Sequence, residues 1–208
     1  MKTLVIAATE LEIAASIPIF IETKTDYLVT GVGMVATAFS MGQYLAGKSY
    51  DLLINVGIAG SFSTSHPLGS LYKVKTDRIL GFGAENDQHF IPIDNLGFGT
   101  SVFVESLPQQ DLGTPFYQLP YMNSITVNTV HGAEESVSKI RKEYGSDLLE
   151  SMEGAAFFYV ANILKIPCIQ VRAISNLVEK RNVENWNIPL ALKELNSWLG
   201  SFLPTVRE

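Results

Sequence analysis

Cysteine is almost absent from this chain of 208 residues. The one cysteine, Cys168, has no second cysteine with which to form an internal disulfide, and it lies in the apolar run IPCIQV. A chain without disulfides is typical of a reducing compartment. We therefore expect a cytoplasmic protein in which Cys168 packs in the core.

Positive charge is also scarce, since 15 Lys and Arg stand against 21 Asp and Glu, which gives a net charge of −6. Nucleic acids and anionic membrane surfaces select for clustered Lys and Arg, so this balance argues against both as partners. No apolar stretch approaches the ~20 residues needed to span a bilayer, and the N-terminus lacks the organisation of a signal peptide. The composition favours a small neutral or polar ligand.

Histidine occurs only three times, at His66, His89 and His131. These residues share no metal-ligand spacing and have no cysteine partners, so we expect no metal site. The G-x-S-x-G nucleophile elbow is missing as well, although a Ser/His/Asp arrangement built from distant residues stays open.

Short β-branched runs alternate with longer segments of helical period, and no stretch has the composition of a linker. This pattern predicts an α/β fold in one domain, residues 1–208, with a mixed, mainly parallel central sheet flanked by helices. The predicted strands are 3–8, 26–31, 52–57, 71–76, 124–130 and 168–175, and the predicted helices are 33–46, 134–144, 154–164 and 188–202. Residues 81–122, rich in Gly, Pro, Asp and Asn, are expected to form loops and an irregular strand at an active-site rim or in a subunit contact.

Ligands of open α/β sheets bind beyond the carboxyl ends of the strands, and two acids stand out there. Glu12, with Glu10 as its rival, follows the first strand, and Glu153 stands in the segment SMEGAA. A partly desolvated acid at this edge can act as a general base or bind hydroxyl groups. The alternative is that both are first-turn helix acids favoured by the helix dipole.

Two glycine-rich turns lie at the same edge. GVGMVA (31–36) satisfies the dinucleotide pattern G-x-G-x-x-A, but it follows the second strand and its acid, Asp51, precedes the next strand, so a structural turn is favoured. NVGIAGS (55–61) has small residues that let backbone N–H groups approach a ligand. Near the C-terminus, we expect Trp198 in the core and Trp186 either in the core or as a lid over a pocket.

Taken in order, the segments ATELEI, GVGMVATA, LLINVGIAGSF and SMEGAAFFYVANILKIPCIQVRAISN resemble the nucleoside phosphorylase and nucleosidase family. The resemblance covers nearly the whole chain, and its most specific part is the spacing between MEGAA and VRAISN. It implies a nucleoside phosphorylase-like fold, a purine nucleoside as the substrate, no metal or organic cofactor, and a homo-oligomer, a dimer or larger.

The resemblance also implies roles for individual residues. Glu153 would bind the ribose hydroxyls, with Met152 against the sugar, and Glu12 would activate water. Gly154 would let the next helix start close beneath the sugar. A turn and a later strand end would supply the contacts to ribose and base, namely Ile58, Ala59, Gly60 and Val130.

Two departures from the family pattern narrow the activity. Phosphorylases of this family carry arginines near the N-terminus, whereas AATELEIAASIPIF (7–20) has no basic residue to bind phosphate, so water is the expected nucleophile. Adenosine-type nucleosidases have an aspartate where this chain has Asn176, and an amide can bond N7 or O6 of a 6-oxopurine but cannot transfer a proton as an acid does. Asn176 is therefore expected to stabilise a departing hypoxanthine.

These departures match the branch of the family that hydrolyses futalosine to hypoxanthine in menaquinone biosynthesis, and the tail SNLVEKRNVENWNIPLALKEL is similar to the C-terminal segment of that branch. Two alternatives stay open. One is hydrolysis of methylthioadenosine and adenosylhomocysteine, and the other is a nucleoside-binding module without catalysis.

Overall fold

The computed structural model describes residues 1–206. The strands are β1 (Thr3–Ala7), β2 (Asp26–Val29), β3 (Leu52–Ser61), β4 (Leu71–Ile79), β5 (Gly83–Asn86), β6 (His89–Pro92), β7 (Val102–Val104), β8 (Tyr121–Thr126), β9 (Leu148–Ser151) and β10 (Cys168–Leu177). The helices are α1 (Glu10–Ile13), α2 (Ile17–Thr23), α3 (Met34–Leu45), α4 (Ile93–Leu96), α5 (Thr114–Tyr117), α6 (Glu134–Tyr144), α7 (Gly154–Leu164) and α8 (Ile188–Val206), with short 3₁₀ turns at Ala14–Ser16 and Val183–Asn185. Over this range no helix combines the length and the apolarity that crossing a bilayer requires.

The main sheet has the strand order β10-β4-β8-β9-β3-β1-β2, with β7 added on β4, while β5 and β6 form a separate hairpin. Strand β10 also pairs with β3, so that β3, β9, β8, β4 and β10 close a ring of paired strands. The parallel pairings are β1–β2, β1–β3, β3–β10, β4–β8 and β8–β9, and the antiparallel ones are β3–β9, β4–β10 and β4–β7. The predicted α/β fold with a mixed, mainly parallel central sheet flanked by helices is confirmed.

Both faces of the sheet are covered, which explains why its inner strands are continuous apolar runs. Successive residues of a strand face opposite sides. In β1, Val5 belongs to a buried cluster that includes Leu199 of α8, whereas Ile6 belongs to a second cluster that includes Phe158 of α7. Cys168 is fully buried in this second cluster, as expected, and burial on both faces provides the main stabilising contribution.

The ends of strands differ most from the sequence prediction. Strands β3 and β10 run on to Ser61 and Leu177. Strand β8 instead ends at Thr126 and not at residue 130, because the neighbouring strands end beside it, at Ile79 and Ser151. Residues 127–133 therefore form a loop at the carboxyl edge of the sheet. The sequence does not predict β9, α1 and α2, because segments of 4 to 7 residues are too short to show a period;.

Residues 81–122 contain more regular structure than the expected loops, namely the β5–β6 hairpin, the short helices α4 and α5, and β7 at the edge of the sheet. All of these residues are described by the structure, and none lines the cleft at the carboxyl edge of the sheet. The expected position at the rim of the chain's own cleft is therefore wrong, and a subunit contact stays a prediction.

Candidate active site

The carboxyl ends of β1, β3 and β10 open into a cleft of about 390 Å³, a volume typical of small-molecule sites. The cleft brings together side chains from both ends of the sequence. It is lined by every residue that the sequence predicts for the site, namely Glu12, Ile58, Ala59, Gly60, Val130, Met152, Glu153 and Asn176. Glu10, the rival of Glu12, is exposed and lies outside the cleft.

Glu12 is buried at the start of α1, and its two carboxylate oxygens have different partners. Oε2 accepts hydrogen bonds from the backbone N–H of Thr9 (3.0 Å) and from the Thr9 hydroxyl (3.1 Å), which completes a capping box for α1;. Oε1 accepts a hydrogen bond from the N–H of Ile58 (3.1 Å). Burial raises the pKa of Glu12, and the positive charge of Arg172 opposes this shift. The capping interpretation therefore holds, and a raised pKa in a cleft also suits the predicted general base.

Glu153 occupies the N-cap position of α7, but its carboxylate makes no capping hydrogen bond and is held instead by the glycine turn between β2 and α3. Its Oε1 accepts a hydrogen bond from the N–H of Gly33 (2.9 Å), and its Oε2 accepts one from the N–H of Met152 (3.3 Å). Gly31 and Gly33 have φ of +87° and +96°, a conformation that other residues rarely adopt. The GVG turn, which matches a dinucleotide motif in sequence, thus orients a carboxylate.

Asn176 lies near the end of β10, opposite Gly60 of β3. Its Oδ1 accepts a hydrogen bond from the Ser175 hydroxyl (2.8 Å), and its Nδ2 donates to the carbonyl of Leu177 (3.0 Å). A Cβ at Gly60 would lie 3.1 Å from this Nδ2 and 2.7 Å from a methyl group of Val178. Glycine at position 60 therefore leaves room for the amide, whose second N–H can donate to a ligand.

Arg172 is fully buried behind the cleft and is not among the site residues predicted from the sequence. Its Nε donates to Oε1 of Gln170 (2.9 Å), and its Nη2 donates to Oδ1 of Asn55. A Cβ at Gly57 would lie 2.2 Å from Nη1 of Arg172 and 2.7 Å from Oε1 of Glu12, so glycine there lets the guanidinium and the carboxylate approach each other. The signal in the sequence is that Arg172 is the one charged residue of β10, since a buried arginine requires partners;.

A chain of buried polar side chains leads from Arg172 to the start of α7. Nε2 of Gln170 donates a hydrogen bond to Oδ2 of Asp77 (3.1 Å). The Thr126 hydroxyl donates to the other oxygen of the same carboxylate, Oδ1 (2.8 Å). The oxygen of this hydroxyl accepts the N–H of Ala155 (2.8 Å) in the first turn of α7. Burial raises the pKa of Asp77 to about 6, against the opposing effects of these hydrogen bonds and of Arg172. These hydrogen bonds link the guanidinium beside the predicted general base to α7, the helix that begins directly after the predicted ribose ligand.

Gly154 faces this polar chain. A Cβ at Gly154 would lie 2.1 Å from Oδ2 of Asp77 and 2.2 Å from Oε1 of Gln170. The expectation that a small residue here lets the helix start beneath the sugar is therefore wrong. The space is needed by the side chains of Asp77 and Gln170.

Gly154→Ala should lower the free energy of unfolding by about 2 kcal/mol or more, because the added methyl group must displace two hydrogen-bonded buried side chains. The matched control is Gly200→Ala in α8, where the added Cβ would have no atom within 4 Å apart from its chain neighbours and the backbone of its own helix. Alanine at that helical position should stabilise the protein by up to ~1 kcal/mol. Urea unfolding measures both changes, and an equal change in the two variants would contradict the close packing around Gly154.

The segment that follows β10 covers one side of the cleft. Trp186 lines the cleft, which agrees with the lid interpretation rather than the core one, whereas Trp198 is buried in the core as expected. The guanidinium carbon of Arg181 lies 5.1 Å from the centroid of the Trp186 ring, within the range of a cation–π contact. Among the cleft-lining residues, which all belong to the described part of the chain, Arg181 is the only basic one.

A Ser/His/Asp arrangement does occur, but outside this cleft. Oγ of Ser61 lies 2.8 Å from Nδ1 of His66, and Nε2 of His66 lies 3.3 Å from Asp147. The Ser61 hydroxyl also bonds to the backbone of Ser63 within a turn, and the Asp147 side chain is 85% exposed. The group thus lacks the buried acid that orients the histidine of a nucleophilic triad. Within residues 1–206, no cluster of three or more His, Cys, Asp or Glu is arranged to hold a metal ion.

Comparisons with known proteins identify the family and the fold. The profile of the Phosphorylase superfamily matches residues 27–197. The chain is 30% identical over 186 residues to a futalosine hydrolase of Streptomyces coelicolor, and the alignment covers 87% of this chain and 79% of that protein. It is 26% identical over 181 residues to a 5′-methylthioadenosine/S-adenosylhomocysteine nucleosidase of Colwellia psychrerythraea, with coverage of 81% and 73%. The native structure of the futalosine hydrolase of Helicobacter pylori strain 26695 shares the fold, with a TM-score of 0.81 at 15% identity and coverage of 99% and 98%.

Proposed function

The chain belongs to the phosphorylase superfamily, and we propose that it is a nucleosidase that hydrolyses futalosine to hypoxanthine and dehypoxanthine futalosine in menaquinone biosynthesis. The observation that carries this proposal is that the buried carboxylates of Glu12 and Glu153 and the amide of Asn176 line the same cleft. The similarity to the futalosine hydrolase of Streptomyces coelicolor supports the choice of substrate.

Water, rather than phosphate, is the proposed nucleophile. The segment after β1 contributes Thr9, Leu11 and Glu12 to the cleft, and none of these side chains is a cation. The negative charge of Glu12 would repel a phosphate dianion at short range. The same carboxylate can take a proton from water, which favours hydrolysis over phosphorolysis.

In the proposed reaction, the N-glycosidic bond breaks through an oxocarbenium-like state with positive charge at the anomeric carbon. Glu153 would bind the ribose hydroxyls with the acceptor positions that the N–H groups of Gly33 and Met152 leave free;. The bonding electrons pass to the base, and Asn176 would stabilise its negative charge by donating to N7 or O6. Water adds to the anomeric carbon while Glu12 takes its proton, and the released base takes up a proton from solvent.

The other predicted contacts would shape the pocket around ribose and base. Ile58, Ala59 and Gly60 belong to the C-terminal part of β3, where the N–H of Ile58 also orients Glu12. Met152 directly precedes Glu153, in reach of the same sugar. Val130 lies in the loop after β8 and is 40% exposed, so it can cover the flat face of a purine.

A direct test compares futalosine, aminodeoxyfutalosine, inosine and methylthioadenosine as substrates, with and without phosphate. We expect hypoxanthine to be released from futalosine at a rate that phosphate does not change, and chromatography identifies the base. Preferential release of adenine from methylthioadenosine would establish the alternative that the Colwellia psychrerythraea relative favours. Formation of a ribosyl phosphate that depends on added phosphate would contradict hydrolysis.

We also propose that the protein works in the cytoplasm as a homo-oligomer, a dimer or larger. Support comes from apolar side chains on α3, where Val35 is 82% and Phe39 is 69% exposed. A second copy of the chain would cover such a surface. Sedimentation equilibrium tests this proposal, and a monomer at all concentrations would contradict it.

A further inference from the structure

The cleft contains a third buried carboxylate, Glu150, to which the proposed reaction gives no role. Glu150 lies in β9, only 5% of its surface is exposed, and it lines the cleft together with Gly60, Val130 and Asn176. Burying a charged group is unfavourable unless partners compensate for the lost water. Its partners therefore indicate what the group is for.

His131 holds Glu150 through both carboxylate oxygens. The backbone N–H of His131 donates to Oε1 (3.0 Å), and Nδ1 of its ring donates to Oε2. A carboxylate has about four acceptor positions, and within residues 1–206 no other residue donates a hydrogen bond to this one. Glu150 is thus fixed in orientation and keeps acceptor capacity for a donor in the cleft.

The sheet places Glu150 in one row with Asn176. Across β3 and β9, Gly60 pairs with Glu150, and across β3 and β10, Gly60 pairs with Asn176. Neighbouring strands lie about 4.8 Å apart, so the backbones of the two polar residues are roughly 10 Å apart, with a glycine between them. A flat ligand that lies over Gly60 can therefore meet the amide on one side and the carboxylate on the other.

The two groups match the two sides of a 6-oxopurine. The base has hydrogen-bond acceptors at N7 and O6, which suit the free N–H of Asn176, and a donor at N1–H, which suits the carboxylate of Glu150. Adenine has an unprotonated N1, whose lone pair a carboxylate would repel. Asn176 alone would discriminate less strongly than Glu150 between 6-oxopurines and adenine, because an amide can also bond N6 and N7 of adenine.

We propose that Glu150 is a specificity-determining residue that accepts the N1–H of a 6-oxopurine, and that His131 is the residue that positions it. This inference rests on the proposed nucleosidase function, and it names the chemical feature of the base that the site recognises. Asn176 then supplies the donor for N7 or O6, and Glu150 supplies the discrimination against 6-aminopurines.

The first test is Glu150→Gln in the full-length protein, with kcat/KM measured for futalosine and for aminodeoxyfutalosine. The amide keeps the size of the side chain but can donate to N1 of a 6-aminopurine, so the preference for the 6-oxo substrate should fall about tenfold or more. Glu135→Gln, on the exposed first turn of α6, makes the same chemical change outside the cleft and should leave the preference unaltered. An unchanged preference in Glu150→Gln would overturn the inference.

The second test needs neither catalysis nor a variant. Equilibrium binding of hypoxanthine, 1-methylhypoxanthine and adenine to the wild-type protein should rank hypoxanthine first by about tenfold or more, because only hypoxanthine offers N1–H. Equal affinity for hypoxanthine and its 1-methyl derivative would overturn the inference. If the protein releases no base from any nucleoside, the proposed function fails, while this ranking of free bases still decides the role of Glu150.

Discussion

Glu12→Gln should lower the turnover number about a hundredfold or more, the usual effect of losing a general base, and should change substrate affinity little. The amide keeps the shape of the side chain and can still accept the N–H of Ile58 or of Thr9, so α1 should remain in place. It cannot take a proton from water. Steady-state kinetics with futalosine measure the loss, and the KM should stay within a few-fold of the wild-type value.

Glu10→Gln is the matched control, because Glu10 is two residues away, exposed and outside the cleft. Its turnover should be close to that of the wild-type protein. If Glu10→Gln loses turnover and Glu12→Gln retains it, the role of general base belongs to Glu10.

The pH profile gives a second readout for Glu12. A general base must be ionised, and burial raises the pKa of Glu12. The turnover number of the wild-type protein should therefore fall as the pH is lowered through a value above the usual range of a glutamate. This acid limb should be missing from the residual activity of Glu12→Gln, and a limb that persists unchanged would assign it to another group.

Glu153→Gln should lower kcat/KM about a hundredfold, because hydrogen bonds to a charged group contribute about 1.5–3 kcal/mol each and about 1.4 kcal/mol corresponds to a factor of ten in rate. The proposed role of Glu153 is to accept hydrogen bonds from the ribose hydroxyls. An amide accepts through one atom only, and its NH₂ group would face a donor. Kinetics with purified protein measure the loss, and urea unfolding shows whether the variant keeps the stability of the wild-type protein.

Comparison of inosine with 2′-deoxyinosine separates sugar binding from a general loss of structure. The wild-type protein should use the 2′-deoxy substrate much less well, because one partner of Glu153 is missing. In Glu153→Gln the ratio of the two kcat/KM values should move toward one. An unchanged ratio would remove Glu153 from recognition of the hydroxyl.

Two helices could be predicted at both ends because their boundaries depend on local chemistry, whereas the predicted end of helix 188–202 is wrong, since α8 continues past Pro204 to Val206. The predicted helices 134–144 and 154–164 match α6 and α7 at both ends. Gly145 follows α6 with a φ of +85°, and Lys165 follows α7 in the left-handed conformation, two residues before Pro167. A glycine with positive φ just after a helix and a proline shortly beyond its last turn are common signals of a helix end.

The end of a strand and the partners of a buried polar group depend on other segments. Strand β8 ends at Thr126 because its neighbours end there. Asp77 meets Gln170 and Arg172 stands behind Glu12 only once the strands have paired in their observed register. No local pattern carries that information, because the partners lie on strands that are distant in the sequence.

The α/β class, most of the elements and the acids at the carboxyl edge could be predicted from sequence alone, since periodicity, turn chemistry and the spacing of MEGAA and VRAISN are local properties. The tertiary structure alone shows that Glu12 lines the cleft while Glu10 does not, that the GVG turn holds Glu153, and that Glu150 lies in one row with Gly60 and Asn176. The physical reason is that burial and hydrogen-bond partners arise from strand order and register, which bring distant residues to the same edge of the sheet.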